Sequence, residues 1–331
     1  MYDLSNPTNT PEYYINGILS GDITVLSRAI TLIESTKAEH QELGGKVIDG
    51  IMHKTGQSFR LGITGVPGVG KSTFIESFGL HLVNNGHRLA VLAIDPSSQK
   101  SKGSILGDKT RMEKLSVHAN AFIRPSPSSG TLGGVTKNTF ETILLCEAAG
   151  FDFIIVETVG VGQSEIAVSQ MTDFFLLLML AGAGDELQGI KRGIMEMADA
   201  LLITKADGNN LQKAKNAKTE YAHALHLFPP SESGWIPKVE ICSSIQNEGI
   251  KEALQIIESY KNLSITNGYF SLKRKQQLSD WLHYSISEQL KEKFYNHPSI
   301  KEELKNIEKN LDSGKINPYR IASELISKWK N

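Results

Sequence analysis

The sequence has little cysteine and no surplus of either charge. Only Cys146 and Cys242 occur, far apart and outside any C-x-x-C pattern, so neither a disulfide framework nor a thiolate metal site has support. Lys plus Arg number 35 and Asp plus Glu number 36 among the 331 residues. This balance excludes the strong phosphate-neutralising attraction of a general nucleic-acid binder. We therefore expect a reducing compartment and no nucleic-acid partner.

Long hydrophobic runs are also missing. The most apolar run, residues 174–180, lies between Asp173 and Asp185 and falls well short of the ~18 residues that indicate a membrane span. The amino-terminal residues lack the basic and apolar pattern of a signal peptide and the Arg-rich pattern of a transit peptide. We expect a cytoplasmic protein that has no membrane partner.

What the sequence does contain is a series of short apolar runs separated by helical patterns. Strands are predicted at 60–64, 89–94, 151–156, 174–180, 200–204 and 239–242. Because these runs show little polar alternation, they indicate an α/β fold whose doubly wound, mostly parallel sheet is covered on both faces. The active edge of such a sheet lies at the carboxyl ends of its strands.

Helical segments flank this sheet. Apolar spacings of three and four predict an amino-terminal helical extension over 1–58, before the nucleotide domain at 59–262. Residues 263–331 are charged and helical, with an apolar seam at Ile300, Leu304, Ile307 and Leu311. The seam either packs back on its own domain or serves in dimerisation.

A phosphate-binding loop follows the first predicted strand. The pattern G-x-x-x-x-G-K-[ST] is matched by Gly65, Val66, Pro67, Gly68, Val69, Gly70, Lys71 and Ser72, and Thr73 continues into a predicted helix. The loop's N–H groups and the helix's positive end attract phosphate, so this is a P-loop NTPase signature. We expect Lys71 to neutralise the β- and γ-phosphates and Ser72 to coordinate Mg²⁺.

Three acidic residues are candidates for the Mg²⁺ site. Asp95 follows the predicted strand 89–94, Glu157 follows 151–156 in the Walker B position, and Asp108 lies in a polar loop. Carboxylate oxygens suit this hard cation, which takes few protein ligands. As isolated acids, Asp95 and Asp108 would otherwise be solvated or capping residues.

The base-reading segment is predicted at 204–207. Thr204, Lys205 and Asp207 have the spacing of the guanine-reading N-K-x-D motif, with Thr in place of Asn. A carboxylate accepts from the ring N–H and exocyclic amine of guanine, which favours GTP or GDP over adenine nucleotides, although Thr204 puts the strictness of that choice in doubt. A backbone contact to the base is predicted from the segment after the last strand, Cys242, Ser243 and Ser244.

The residues at 157–165 are typical of a second switch. Gly160 is the predicted γ-phosphate sensor, and the next residue, Val161, replaces the glutamine that orients the attacking water in Ras-like proteins. We therefore expect slow intrinsic hydrolysis that a partner accelerates. The Gly-rich segment 181–192 contains Gln188 and Lys191, which either reach the phosphates from a mobile segment or belong to an exposed connection.

The phosphate loop and segments 93–98, 105–112, 157–165 and 184–191 together resemble the MeaB/ArgK family, the G-protein chaperones of adenosylcobalamin-dependent methylmalonyl-CoA mutase. The resemblance runs from about residue 12 to the carboxyl end. It implies a homodimeric GTPase that couples GTP hydrolysis to cofactor loading, protection and reactivation of that mutase or a related acyl-CoA mutase.

The resemblance also assigns roles to the candidate residues. It implies that Asp95, Asp108 and Glu157 form the Mg²⁺ and switch network and that Asp207 reads guanine. Gln188 and Lys191 would belong to an additional switch that responds to the mutase, and the carboxyl-terminal helices would form a dimerisation arm.

Two other functions compete with this interpretation. An ATP-dependent kinase or transport-linked ATPase would prefer ATP, against which Asp207 argues. A targeting or metal-delivery GTPase has no support, because the chain has no His/Cys-rich tract or Met-rich domain. The sequence also has no Asp-x-His-x-x-Gly for binding base-off cobalamin, so we expect the mutase to be a separate polypeptide.

Overall fold

The computed structural model describes residues 9–95, 112–127, 132–158, 164–182, 192–229, 231–309 and 317–329. The chain divides into two compact units, Met1–Gln277 and Leu278–Asn331. Among these described residues, no helix is both long and apolar enough to cross a membrane.

The first unit is built on a parallel sheet. Its seven strands, all within the described ranges, are β1 Phe59–Gly65, β2 Leu89–Asp95, β3 Ala121–Pro127, β4 Phe153–Thr158, β5 Phe174–Leu180, β6 Ala200–Thr204 and β7 Lys238–Ile241. They lie in the order β3-β2-β4-β1-β5-β6-β7, and each neighbouring pair is parallel. The predicted α/β doubly wound sheet is confirmed.

The sheet differs from the prediction at four points. β3 was not expected, and β4 begins and ends two residues later than predicted, so that Glu157 lies inside the strand rather than after it. Asp95 is the last residue of β2 rather than the first one beyond it, and β7 ends at Ile241. The polar ends of β2 and β4 continue the hydrogen-bonded ladder, because Ala93 pairs with Glu157 and Ile94 with Thr158.

Helices connect the strands and flank them. In chain order they are α1 Pro11–Leu19, α2 Ile23–Ile33, α3 Ala38–Ile51, α4 Lys71–Asn84, α5 Glu113–Ser116, α6 Leu132–Ala148, α7 Ser164–Met171, α8 Arg192–Met197, α9 Leu211–Leu225, α10 Ile250–Thr266, α11 Tyr269–Asn296, α12 Pro298–Glu308 and α13 Pro318–Trp329. Short 3-10 turns occur at Met52–Lys54 and Gly208–Asn210.

Alternating side chains of β1 assign the two faces of the sheet. Leu61 and Ile63 belong to the apolar core that contains residues of α4 and α10. Arg60 instead forms an ion pair with Glu147 of α6, and Gly62 lies against α7. This period-two alternation buries β1 on both faces, which is why its sequence shows an apolar run with few polar positions.

Three helices precede the sheet, where the sequence predicts an amino-terminal extension. The Asp22 carboxylate caps α2 by accepting from the N–H groups of Thr24 and Val25, and the apolar face of α2 is buried. Arg124 of β3 donates to the carboxylate of Glu34 at the end of α2, at 2.7 Å. The extension is thereby joined to the sheet, and the boundary at residue 58 stays a prediction.

The second unit contains the end of α11 together with α12 and α13. Ile300 of α12 and Leu325 of α13 are buried, Glu303 forms an ion pair with Lys328, and Phe294 meets Trp329 edge to face. Leu304 and Ile307 of the predicted seam are partly buried, whereas Leu311 lies outside the described residues. Part of the seam is thus covered within the chain itself.

Candidate nucleotide site

The phosphate-binding loop lies between the end of β1 and the start of α4, as predicted. Gly68 and Gly70 have φ angles of 81° and 99°, a left-handed conformation that glycine adopts without steric cost. Gly70 is the N-cap of α4, so the helix begins at Lys71 and not at Thr73 as the sequence suggested. The loop therefore presents its N–H groups and the positive end of a 14-residue helix at one point.

Lys71 is buried against this loop. Its Nζ donates to the carbonyl oxygens of Gly65 at 2.7 Å and Val66 at 3.3 Å. Burial lowers the pKa of the Lys71 ammonium from its ordinary value, while the carboxylates of Glu157 and Glu165 act in the opposite direction. A phosphate group next to Lys71 would add further negative charge and favour the charged ammonium.

Two of the three acidic candidates, Asp95 and Glu157, lie at the carboxyl edge of the sheet. Glu157 is buried in β4 and pairs with Ile63 of β1 on one side and Ala93 of β2 on the other. Asp95 ends the neighbouring strand β2, and Asp108 lies outside the described residues. Glu165, in the first turn of α7, is a further buried acid whose charge reaches Lys71, and sequence reasoning gave it no role.

The donor set fits Mg²⁺. In the ranges that the structure describes, no three His, Cys, Asp or Glu residues are grouped so as to hold a metal by themselves. Mg²⁺ in phosphate sites typically takes one or two protein oxygens and fills its shell with phosphate and water. The Ser72 hydroxyl at the start of α4 and the Glu157 carboxylate are oxygen donors of the required kind.

Thr204 contacts the phosphate-binding loop. Its hydroxyl lies 2.6 Å from the carbonyl oxygen of Val69 and 3.2 Å from that of Met179. A hydroxyl carries one proton, so the shorter contact is the stronger hydrogen bond and joins the end of β6 to the loop. The buried Thr204 side chain is therefore engaged by backbone groups of the loop and of β5.

Lys205 and Asp207 form a turn after β6 that other residues support. Lys205 has a φ of 55°, rare for a residue with a side chain, and its Nζ donates to the Gly68 carbonyl oxygen at 2.8 Å. Asn210 donates from its side-chain amide to the Lys205 carbonyl oxygen at 2.7 Å. The Ser243 hydroxyl donates to Asp207 Oδ2 at 2.6 Å. These bonds fix the lysine stem and the carboxylate beside the phosphate-binding loop.

Sequence reasoning missed the supporting roles of Asn210 and Ser243. The run of turn-forming residues after Asp207 is a local signal that could have found Asn210. Ser243 gave no such signal, because its bond to Asp207 spans 36 residues of sequence.

The segment after β7 lies beside this turn. The N–H of Cys242 donates to the Ile203 carbonyl oxygen at 2.8 Å, and that of Ser243 to the Glu248 carbonyl oxygen at 2.9 Å. The N–H groups of Cys242 and Ser243 are thus already bonded within the chain, and a backbone contact from this segment to a base stays a prediction. Burial raises the pKa of the Cys242 thiol to about 12, which keeps this group protonated and unreactive at neutral pH.

The two switch segments lie partly outside the described residues, and with them Gly160, Val161, Gln188 and Lys191. The helices that follow the segments, α7 and α8, are in contact, since Ser169 Oγ lies 3.5 Å from the sulfur of Met197.

Known proteins resemble the chain over most of its length. A protein called "Probable GTPase Rv1496" from Mycobacterium tuberculosis is 44% identical over 326 residues, which cover 98% of this chain and 97% of the relative. The mouse "Methylmalonic aciduria type A homolog, mitochondrial" is 46% identical over 325 residues, covering 95% of this chain and 78% of the relative.

A solved structure extends the comparison to the fold. The crystal structure of a "LAO/AO transport system kinase" superposes with a TM-score of 0.75 at 34% identity and covers 97% of this chain and 98% of its own. A model of the family described as "Methylmalonyl Co-A mutase-associated GTPase MeaB" matches residues 26–299. The chain is a P-loop GTPase and belongs to the MeaB family.

Proposed function

We propose that this protein is a Mg²⁺-dependent GTPase whose hydrolysis cycle gates the loading, protection and reactivation of an adenosylcobalamin-dependent acyl-CoA mutase. The observation that carries the proposal is the joining of the phosphate loop to the base-reading turn. Thr204 and Lys205 bond to Val69 and Gly68, so phosphates and base are bound by one connected structure. Membership of the MeaB family supports methylmalonyl-CoA mutase as the client.

Each residue contributes one property to nucleotide binding. When bound, Mg²⁺ neutralises charge on the β- and γ-phosphates, and Ser72, Glu157, Asp95 and Asp108 are the residues that would hold it or its water ligands. Lys71 stabilises negative charge on the phosphates, and the α4 amino terminus adds N–H donors.

The other end of the nucleotide is the guanine base. Asp207 accepts from the two guanine donors, with Ser243 orienting its carboxylate. Lys205 lays its stem along the base, and GTP is bound in preference to ATP.

Hydrolysis is slow until a partner completes the site. Val161 has neither donor nor acceptor in its side chain, so it cannot orient the attacking water. Gly160 senses the γ-phosphate, and Gln188 and Lys191 respond to the mutase by supplying polar or positive groups. The contact between α7 and α8 supports this proposal, because it links the helices that follow the two switch segments.

We also propose that the protein is a homodimer. Along α11, Leu278, Leu282, Ile286 and Leu290 recur at spacings of four and are each about half exposed, between 46% and 56%. Such a stripe on a charged helix is suited to pairing with the same stripe of a second copy. The two free, buried cysteines suit a reducing compartment, and we place the protein in the cytoplasm.

The proposal is tested by cofactor loading. Purified apo-methylmalonyl-CoA mutase is mixed with the protein and adenosylcobalamin in the presence of GTP, GDP or a non-hydrolysable GTP analogue. The change in cobalamin absorbance then reports loading. We expect GTP and the analogue to give different loading rates or extents, and the Lys71→Ala variant to abolish the difference. Loading that is the same with every nucleotide would refute the gating role.

A further inference from the structure

The first turns of α11 hold the short link between α7 and β5. Lys273 Nζ donates to the Asp173 carbonyl oxygen at 2.8 Å, and Gln277 Nε2 donates to the Thr172 carbonyl oxygen at 2.9 Å. Arg274 Nη2 donates to the Asp173 carboxylate at 2.7 Å. Gln277 lies four positions after Lys273 and three after Arg274, on the same side of α11, and all three residues bind the same two-residue link.

The link is buried and has further bonds to β1. Asp173 accepts from the Arg60 N–H at 2.7 Å, and Arg274 also donates to the Ser58 carbonyl oxygen at 2.7 Å. Arg60 in turn pairs with the Glu147 carboxylate at 2.9 Å. Because the charges are desolvated and mutually paired, removing one of them would leave a buried charge with fewer partners. A shift of the link would break its bonds to α11 unless α11 moved with it.

α7 and the residue after it pack closely on β1 at Gly62. A side chain at Gly62 of β1 would come within 2.9 Å of the Thr172 hydroxyl and 3.0 Å of Val168 Cγ1. The absence of a side chain at Gly62 lets the helix lie directly on the strand. With eight residues, α7 is about 12 Å long at 1.5 Å per residue, so a displacement at its first turn reaches its last turn.

The first turn of α7 contains a buried acid whose charge acts on Lys71 of the phosphate-binding loop. The helix starts immediately after the predicted γ-phosphate-sensing segment 159–163, and its buried Glu165 is close enough for its charge to act on Lys71. One short helix thus has the phosphate lysine near its first turn and the α11 contacts directly after its last turn.

We propose that α7 couples the phosphate site to α11, with Lys273, Arg274 and Gln277 as the positioning residues that transmit the coupling. α11 responds to whether GTP or GDP is bound. A partner that binds along α11 more tightly in one nucleotide state changes the ratio of the GTP and GDP affinities by the same factor as its own affinity differs between the two states. The inference rests on the proposed function in one respect, namely that segment 159–163 responds to the γ-phosphate.

Hydrogen exchange on the full-length protein tests this coupling. The amide exchange of α7 and α11 is measured with Mg²⁺ and either GDP or a non-hydrolysable GTP analogue. In the wild type we expect the α11 exchange rates in the two states to differ about fivefold or more, the lower end of typical allosteric coupling. In a Lys273→Met/Gln277→Leu double variant, which keeps the Arg274 bonds, we expect the α11 difference to become smaller while the α7 difference remains.

Two controls separate coupling from stability. Lys275→Met changes an exposed lysine on the same turns and should keep the wild-type difference. If Lys273 and Gln277 only stabilise the fold, the double variant should speed α11 exchange equally in both nucleotide states. If the double variant does not fold, Lys273→Met alone should reduce the difference.

Failure of the coupling can be distinguished from failure of the γ-phosphate response and from failure of the chaperone role. Equal α11 exchange with both nucleotides, or a Lys273→Met/Gln277→Leu variant that keeps the wild-type difference, overturns the inference. Absence of any nucleotide response in α7 overturns it together with the γ-phosphate response of the switch. The assay contains no mutase, so a failed chaperone role leaves its result unaffected.

Discussion

Replacing Asp207 by asparagine should exchange guanine recognition for xanthine recognition. A carboxylate can accept from both the ring N–H and the exocyclic amine of guanine, whereas an amide offers one acceptor and one donor. Xanthine has an oxygen where guanine has the amine, so the amide's donor finds a partner there. Ser243, which donates to Asp207 Oδ2 at 2.6 Å, can still donate to the amide oxygen and orient the side chain.

The magnitude follows from one bond that is lost and one that loses its charge. A hydrogen bond to a charged group contributes about 1.5–3 kcal/mol and a neutral one about 0.5–1.5 kcal/mol, so the loss and the weakening together cost about 2.5–4.5 kcal/mol. At 1.4 kcal/mol per factor of ten, the affinity of Asp207→Asn for GDP should fall about 10²- to 10³-fold. The affinity for XDP should rise correspondingly.

Fluorescent GDP and XDP titrations measure both affinities. Asn209→Ala, on the same turn and exposed, serves as the control and should bind both nucleotides like the wild type. An Asp207→Asn variant that binds GDP as tightly as the wild type and gains nothing for XDP would refute the assignment of base recognition to Asp207.

Three further predictions concern the loop, the switch and stability. Thr204→Val removes the bond to Val69 and should weaken GDP and XDP binding equally, by about 1 kcal/mol in titrations; a change confined to one base would contradict this. Lys71→Ala should abolish GTP turnover, whereas Lys191→Ala should keep basal phosphate release and lose stimulation by the mutase. Burial raises the pKa of Glu141 from 4.5 to about 7, so the folded protein should lose stability as the pH rises from about 4.5 to about 7, with no further loss from this group at higher pH. Between pH 5 and 8 the free energy of unfolding, measured in urea, should fall by up to about 3 kcal/mol less in Glu141→Gln than in the wild type. An equal fall in both proteins would refute the raised pKa.

The buried strands were predictable because burial on both faces gives them short apolar runs. β3 was missed for a physical reason. It lies at the edge of the sheet and contains Arg124, Pro125 and Pro127. Proline lacks the N–H that a central strand needs and is tolerated at an edge, so the sequence of β3 does not have the pattern of a buried strand.

The site was predictable where its residues are consecutive. The phosphate-binding loop and the turn at 204–207 contain their chemistry within eight and four residues, and the spacing of each motif follows from the geometry of one loop. The bonds from Ser243 to Asp207 and from Arg274 to Asp173 join residues 36 and 101 positions apart. No local pattern specifies such pairs, since only the sheet order brings them together.

The beginning of the carboxyl-terminal arm illustrates the same limit. The composition becomes charged after residue 262, which marks solvent exposure of one helix face. Lys273, Arg274 and Gln277 lie in this charged region and use their polar groups to bind the link before β5. Composition alone does not distinguish a solvated charge from a buried, paired one. The predicted boundary at 262 and 263 therefore remains to be tested by truncation.

We expect a separate mutase to control the GTPase cycle of this protein. The most direct test is steady-state phosphate release from GTP and from ATP with Mg²⁺, each with and without purified adenosylcobalamin-dependent methylmalonyl-CoA mutase from the same organism. We expect slow GTP turnover, faster turnover with the mutase, and little turnover of ATP. ATP preference, or GTP turnover that is indifferent to the mutase, would contradict it.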